Sequence, residues 1–198
     1  MKRLLQIGCL LLLAACGGGS GSGTVGQGRA PGNLDNACSI LSQRPGYLRA
    51  FRAAERKWGV PIHVQMATIY QESKFVSDAR TPLRFALGVI PVGRQSSAYG
   101  YSQALDATWK EYQQVEGGRR SRRDDIRDAT DFMGWYMAET QRALGIPLSD
   151  ARNQYLAYHD GRTGFRRGTY RSKPWLMRIS GQIEARAAMY QQQLARCS

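Results

Sequence analysis

Only two histidines, His63 and His159, occur in the 198 residues, and they lie far apart. No H-x-x-x-H, no C-x-x-C and no EF-hand loop is present. The spacings that hold zinc or calcium are therefore missing, and neither a metal nor a cofactor is expected. No G-x-S-x-G turn exposes a serine nucleophile. No glycine pattern of the Rossmann or P-loop type cradles phosphates. No apolar run reaches the roughly 20 residues of a membrane-crossing helix. Negative charge is scarce as well: 15 acidic residues stand against 28 basic ones, for a net charge of +13. What is left for chemistry is acid–base work by one of few carboxylates.

The start of the chain bears on where the rest of it works. MKRLLQIGCLLLLAAC has a basic beginning, an apolar run too short to span a bilayer, and small residues. That is the layout of a secretory signal over residues 1–15. Leu13-Ala14-Ala15-Cys16 resembles the bacterial lipobox, in which cleavage precedes a cysteine that carries lipid. Cys16 is thus expected to be lipidated and to anchor the chain to a membrane. Gly17 rather than aspartate follows it, which by the same resemblance favours the outer membrane and a periplasmic location. Residues 16–32 read as a Gly- and Ser-rich flexible linker, and residues 33–198 as one folded domain large enough for a core. Of four cysteines, Cys9 leaves with the signal and Cys16 takes lipid. Cys38 and Cys197 remain as a disulfide pair in an oxidising compartment. For an exported basic protein, an anionic wall polymer or lipid surface is a more natural partner than nucleic acid.

The folded part reads as mainly α, with about six helices. Apolar spacing marks Tyr47–Trp58, then a second helix from Ile62, with Ile62, Met66 and Ile69 on one face. Asp106 is placed to cap ATWKEYQQV, Asp124 or Asp125 to open residues 126–144, and Ser149 to cap ARNQYLAYH. A final helix runs from Pro174 to about Ala195. Glycine and proline break residues 84–94 into a short strand pair or an ordered loop.

Glu72 ends the second helix in IYQESKF. On a helical wheel it lies about 100° from the centre of the apolar stripe, beside Gln65 and Thr68. A carboxyl at such an edge is partly desolvated, which raises its pKa as a general acid requires. Taken alone, a glutamate at a helix end is more often simply solvated. Later blocks change that weighting. Glu72-Ser73-Lys74-Phe75 is followed by Gly100, Gln103 and Thr108 in G-x-x-Q-x-x-x-x-T, and then by Ala157-Tyr158-His159-Asp160-Gly161. In this order they resemble the signature blocks of the soluble-lytic-transglycosylase (SLT) branch of the lysozyme superfamily.

The resemblance implies an α+β lysozyme-like fold and a peptidoglycan glycan strand as substrate. It also implies non-hydrolytic cleavage between N-acetylmuramic acid and N-acetylglucosamine, leaving 1,6-anhydro ends. Glu72 would act as acid and then as base. Ser73 would bond near the glutamate or substrate, or simply cap the helix. Gln103 would donate to a sugar, Tyr158 would orient Glu72, and Tyr99 and Tyr101 would stack on sugar rings, with at least one of them in the core. His159 replaces the family's usual asparagine, keeping hydrogen bonding and adding a titration near neutrality. The stretch Pro82–Gln95 is longer than the minimal pattern and is expected to cover the groove. Asp78, Asp106 and Asp160 are candidate second carboxylates for the alternative, a hydrolytic muramidase. A non-catalytic wall-binding or secretion-scaffold lipoprotein is the other alternative, and secretion or cell-envelope machinery is the protein partner it implies.

Overall fold

The computed structural model describes residues 28–197. The leader, Cys16 and the glycine-rich stretch through residue 27 lie outside the described residues. Seven α-helices follow in order among the described residues: α1 (Ala37–Gln43), α2 (Pro45–Trp58), α3 (Ile62–Ser73), α4 (Asp106–Tyr112), α5 (Ile126–Leu144), α6 (Ala151–Arg167) and α7 (Pro174–Leu194). Strands β1 (Leu83–Ala86) and β2 (Ile90–Arg94) form one antiparallel hairpin between α3 and α4. The expected mainly helical fold with a short strand pair is the one present.

Several local expectations need correcting. The additional helix, α1, has only seven residues, too few for periodicity to reveal. The Asn36 side chain caps it by accepting from Ser39 N at 2.9 Å. Asp106 does not cap α4; it is the first helical residue, and its carboxylate pairs with Arg123 Nη1 at 2.8 Å. Asp150, not Ser149, caps α6, accepting from Asn153 N at 3.0 Å. Asp125 caps α5 through Arg127 N and Asp128 N. The glycine-rich stretch after His159 is not a loop. α6 continues through it to Arg167, turning sharply at Gly161 (φ 72°, ψ 157°).

The largest departure is α3. Its spacing suggested one apolar face, yet Val64, Gln65, Met66, Ala67, Thr68 and Ile69 are all fully buried. α2, α5, α6 and α7 all pack against it, so it has no outer side along this stretch. Its polar residues donate within the core: Gln65 Nε2 to Val60 O at 2.8 Å and Thr68 Oγ1 to Val64 O at 2.9 Å, while Gln65 Oε1 is buried without a partner. The helix emerges again at its C-terminal end, where Tyr70, Gln71 and Glu72 are partly exposed.

The chain ends are strapped together. A disulfide joins Cys38 on α1 to Cys197 beyond α7. Beside it, Ala37 N donates to Gln193 Oε1 at 2.7 Å, and Arg186 pairs with Asp35 at 2.8 Å. The hairpin does the opposite. It packs on no helix, so the stretch expected to cover a groove stands clear of the helical body, with no side chains beneath it to hold it down.

Candidate active site

The geometry starts at the end of α3. Lys74 (φ 52°) and Phe75 (φ 62°) adopt left-handed conformations one after the other. Each costs roughly 1 kcal/mol for a residue with a Cβ. Phe75 is fully buried and stacked on Tyr47 at 5.9 Å, which holds the turn in place. The chain therefore leaves α3 abruptly, and Glu72 stays on the last turn of its helix, partly buried.

Glu72 is partly buried, and its pKa is raised from 4.5 to about 7. Burial is the cause, because a carboxylate loses hydration there. Two groups oppose it: the Tyr155 hydroxyl, within hydrogen-bonding reach of the carboxyl, and the charge on Lys74. Protonated and ionised forms of Glu72 are therefore both accessible near neutral pH. Tyr155 and Tyr158 lie three residues apart, on one side of α6. Burial and the neighbouring Glu72 charge raise the pKa of both phenols, so they stay neutral donors. Tyr155 was not anticipated from the sequence, where nothing separates it from a core tyrosine. Its spacing from Tyr158 is the signal that could have found it.

Tyr158 does not bond to Glu72. Its hydroxyl donates to Ser102 O at 2.6 Å, tying α6 to the loop between the hairpin and α4. That loop is tightly built. Gly100 has φ 80°, and a Cβ there would lie 2.1 Å from Arg123 O, so no other residue fits. Gln103 also has a positive φ, 49°. Its amide nitrogen donates to Ala79 O and to Gly100 O, both at 2.9 Å. The expected donor to sugar is thus spent on the backbone, and only Oε1 is left, as an acceptor.

Other expected contacts are redirected too. Ser73 is buried and donates to Ile69 O at 3.3 Å, which is the helix-end alternative. Tyr101 is a core residue whose hydroxyl meets that of Tyr47 at 2.9 Å. Tyr99 carries the Arg80 guanidinium over its ring at 4.2 Å, and its hydroxyl donates to Asp124 at 3.2 Å. Neither tyrosine offers a free ring for a sugar. What the structure does bring together is a groove of about 300 Å³, bordered by Gln103, Leu105, Thr108, Tyr136, Tyr158 and His159. His159 is exposed at its edge, packed against Trp175 at 5.0 Å.

The candidate second carboxylates are otherwise engaged or remote. Asp160 accepts from Lys173 at 2.5 Å and from Thr169 at 2.7 Å. Burial pushes its pKa up, but these bonds and His159 hold it below the usual value. Asp106 is paired with Arg123, and Asp78 is exposed. Among the described residues, no carboxylate contributes to the shift at Glu72. No three His, Cys, Asp or Glu side chains among them gather as a metal site.

One carboxyl with its pKa raised toward neutrality faces a phenol that steadies its charged form, and its charge also reaches Tyr158, which lines a groove with polar edges. Such a group can give a proton to a bound oxygen and take one back. The family model described as "Transglycosylase SLT domain" matches residues 4–197. No curated protein matches the chain.

Proposed function

The chain belongs to the transglycosylase SLT domain family, and from that premise we propose that it is a lytic transglycosylase that cleaves the bond between N-acetylmuramic acid and N-acetylglucosamine in peptidoglycan without water. The observation that carries this reading is Glu72: partly buried, raised to about 7, and without a carboxylate among the groups that shift it. Glycoside hydrolysis ordinarily uses two carboxyls, roughly 5–5.5 Å apart for retention or 6.5–9.5 Å for inversion. An intramolecular reaction needs only one.

Protonated Glu72 gives its proton to the glycosidic oxygen as that oxygen leaves the anomeric carbon. The carboxylate so formed is stabilised by the Tyr155 hydroxyl and the Lys74 charge. It then removes the proton from the C6 hydroxyl of the muramic sugar, and O6 closes onto the anomeric carbon. The products are a new sugar hydroxyl and a 1,6-anhydro end, and Glu72 is protonated again. No net proton enters or leaves, so a pKa near the working pH suits both halves of the cycle.

The same reading places the enzyme in the periplasm, tethered by lipid on Cys16 and facing the wall from the outer membrane. The sequence Leu13-Ala14-Ala15-Cys16-Gly17 supports it. Digestion of purified sacculi by wild type and by Glu72→Gln, followed by mass spectrometry, tests the chemistry. Wild type should release anhydro-ended muropeptides, and the variant should lose activity by at least about a hundredfold. Reducing ends would assign a hydrolase; an unimpaired variant would remove Glu72 from catalysis.

A further inference from the structure

The hairpin is unlike the rest of the surface. Leu87 is 91 % exposed, Val89 75 %, Val92 57 %, Ile90 53 % and Phe85 52 %. Together they make a contiguous apolar tip on two paired strands that no helix supports. Apolar clusters of this kind on a protein surface mark contact sites. The turn itself costs energy to build. Leu87 and Gly88 both have positive φ, 51° and 74°, at positions that favour Asn or Gly. Leucine there gains no packing within the fold to offset its strain.

Charge is arranged around this tip. Between Asp78 and Asp106 there is no acidic residue, while Arg80, Arg84 and Arg94 all fall in that span. Arg84 lies three residues before Leu87, across the end of β1 and the start of the turn, a separation of at most about 10 Å. That matches the 5–10 Å by which apolar groups sink below lipid headgroups. The chain upstream points the same way. Gly28, the first described residue, sits against Asp78, where an added Cβ would lie 3.3 Å from Oδ1. The described chain therefore begins beside Asp78, in the segment that leads into β1. Eleven residues separate Cys16 from Gly28.

From these observations we propose that the hairpin is a membrane wedge: its apolar tip enters the interface of an anionic lipid bilayer while Arg84 and Arg94 meet the headgroup phosphates. It does not depend on the catalytic reading. The hairpin would supply a contact in addition to a tether at Cys16. It also fixes how the domain sits on the bilayer, which a tether alone leaves free.

The test uses the unlipidated chain from Gly17 to Ser198, because residues 28–197 contain the core and the disulfide. It is mixed with phosphatidylcholine vesicles, with and without phosphatidylglycerol, and partition is read by co-sedimentation. Wild type should bind the phosphatidylglycerol vesicles preferentially. Leu87→Asp with Val89→Asp should lower that partition about 100-fold, and Arg84→Gln about fivefold. Unfolding midpoints should not move, since the hairpin supports no helix. The inference is overturned if wild type ignores anionic vesicles or binds both kinds equally. It is also overturned if the aspartate pair leaves binding unchanged. Sedimentation velocity provides a further check: a wild-type dimer that the aspartate pair dissolves would make the tip a contact between copies instead.

Discussion

Replacing the proposed acid should stabilise the fold, and only above the pH at which an unfolded glutamate ionises. The Glu72 carboxyl has its pKa raised from 4.5 to about 7 in the folded protein. Between those values the native state holds a proton that the unfolded chain has already released. Stability therefore falls as pH rises through that window, and the whole cost is present above it. A shift of that size corresponds to about 3 kcal/mol, at 1.36 kcal/mol per pKa unit. Glutamine never ionises, so Glu72→Gln escapes this cost while keeping nearly the same shape. Its unfolding free energy minus that of wild type should grow by about 3 kcal/mol from pH 4 to pH 8. For a domain of this size that is roughly 6–12 °C in midpoint. Urea melts of both proteins at the two pH values measure it, with the disulfide kept oxidised. Groups that titrate in both proteins cancel in the difference. A difference that stays flat with pH would mean that Glu72 ionises as it does in water, and the argument for a poised acid would fail.

Removing the phenol that faces the acid should move its titration. Tyr155→Phe deletes the hydrogen bond that lowers the Glu72 pKa, so the alkaline limb of kcat/KM should rise by about one pH unit. Lys74→Met should move it the same way by less, because that side chain is exposed and its charge is screened; a downward movement in either variant would contradict the assignment. Gly100→Ala forces a Cβ to within 2.1 Å of Arg123 O at a positive φ. It should cost at least about 3 kcal/mol in denaturant melts, and an unchanged midpoint would show that the loop yields freely. Reduction, or Cys38→Ser with Cys197→Ser, opens a loop of 159 residues and should cost about 5 kcal/mol in the chain-entropy model. Calorimetry with and without reductant reads it directly.

Much of this architecture is legible in the sequence because it is local. Helix periods, the Asp125 cap and the break over residues 84–94 all follow from neighbours along the chain. The reasoning that singled out Glu72 was partly wrong. The wheel placed it at the edge of one apolar stripe, whereas four neighbouring helices enclose α3 and bury residues on every side of it. Tyr155 was missed because only the packing of α6 against α3 distinguishes it from a core tyrosine. Gln103 was given the right neighbourhood and the wrong polarity, since a positive φ without glycine carries no sequence signal. The paired left-handed residues Lys74 and Phe75 are hidden for the same reason. An exposed hairpin is hidden too: apolar residues along a chain look alike whether a core waits for them or not.

The strap between the chain ends changes how the domain would bear force. The disulfide makes a covalent ring that takes in α2 through α7, and the groove lies on that ring. A pull arriving through the residues before Gly28 divides at Cys38. One path runs forward through α2 and α3, and the other crosses to Cys197 and back along α7. Neither path can lengthen without the other, so a load between the residues before Gly28 and the groove is shared by two backbones. The domain can hold a taut polymer without its ends peeling away.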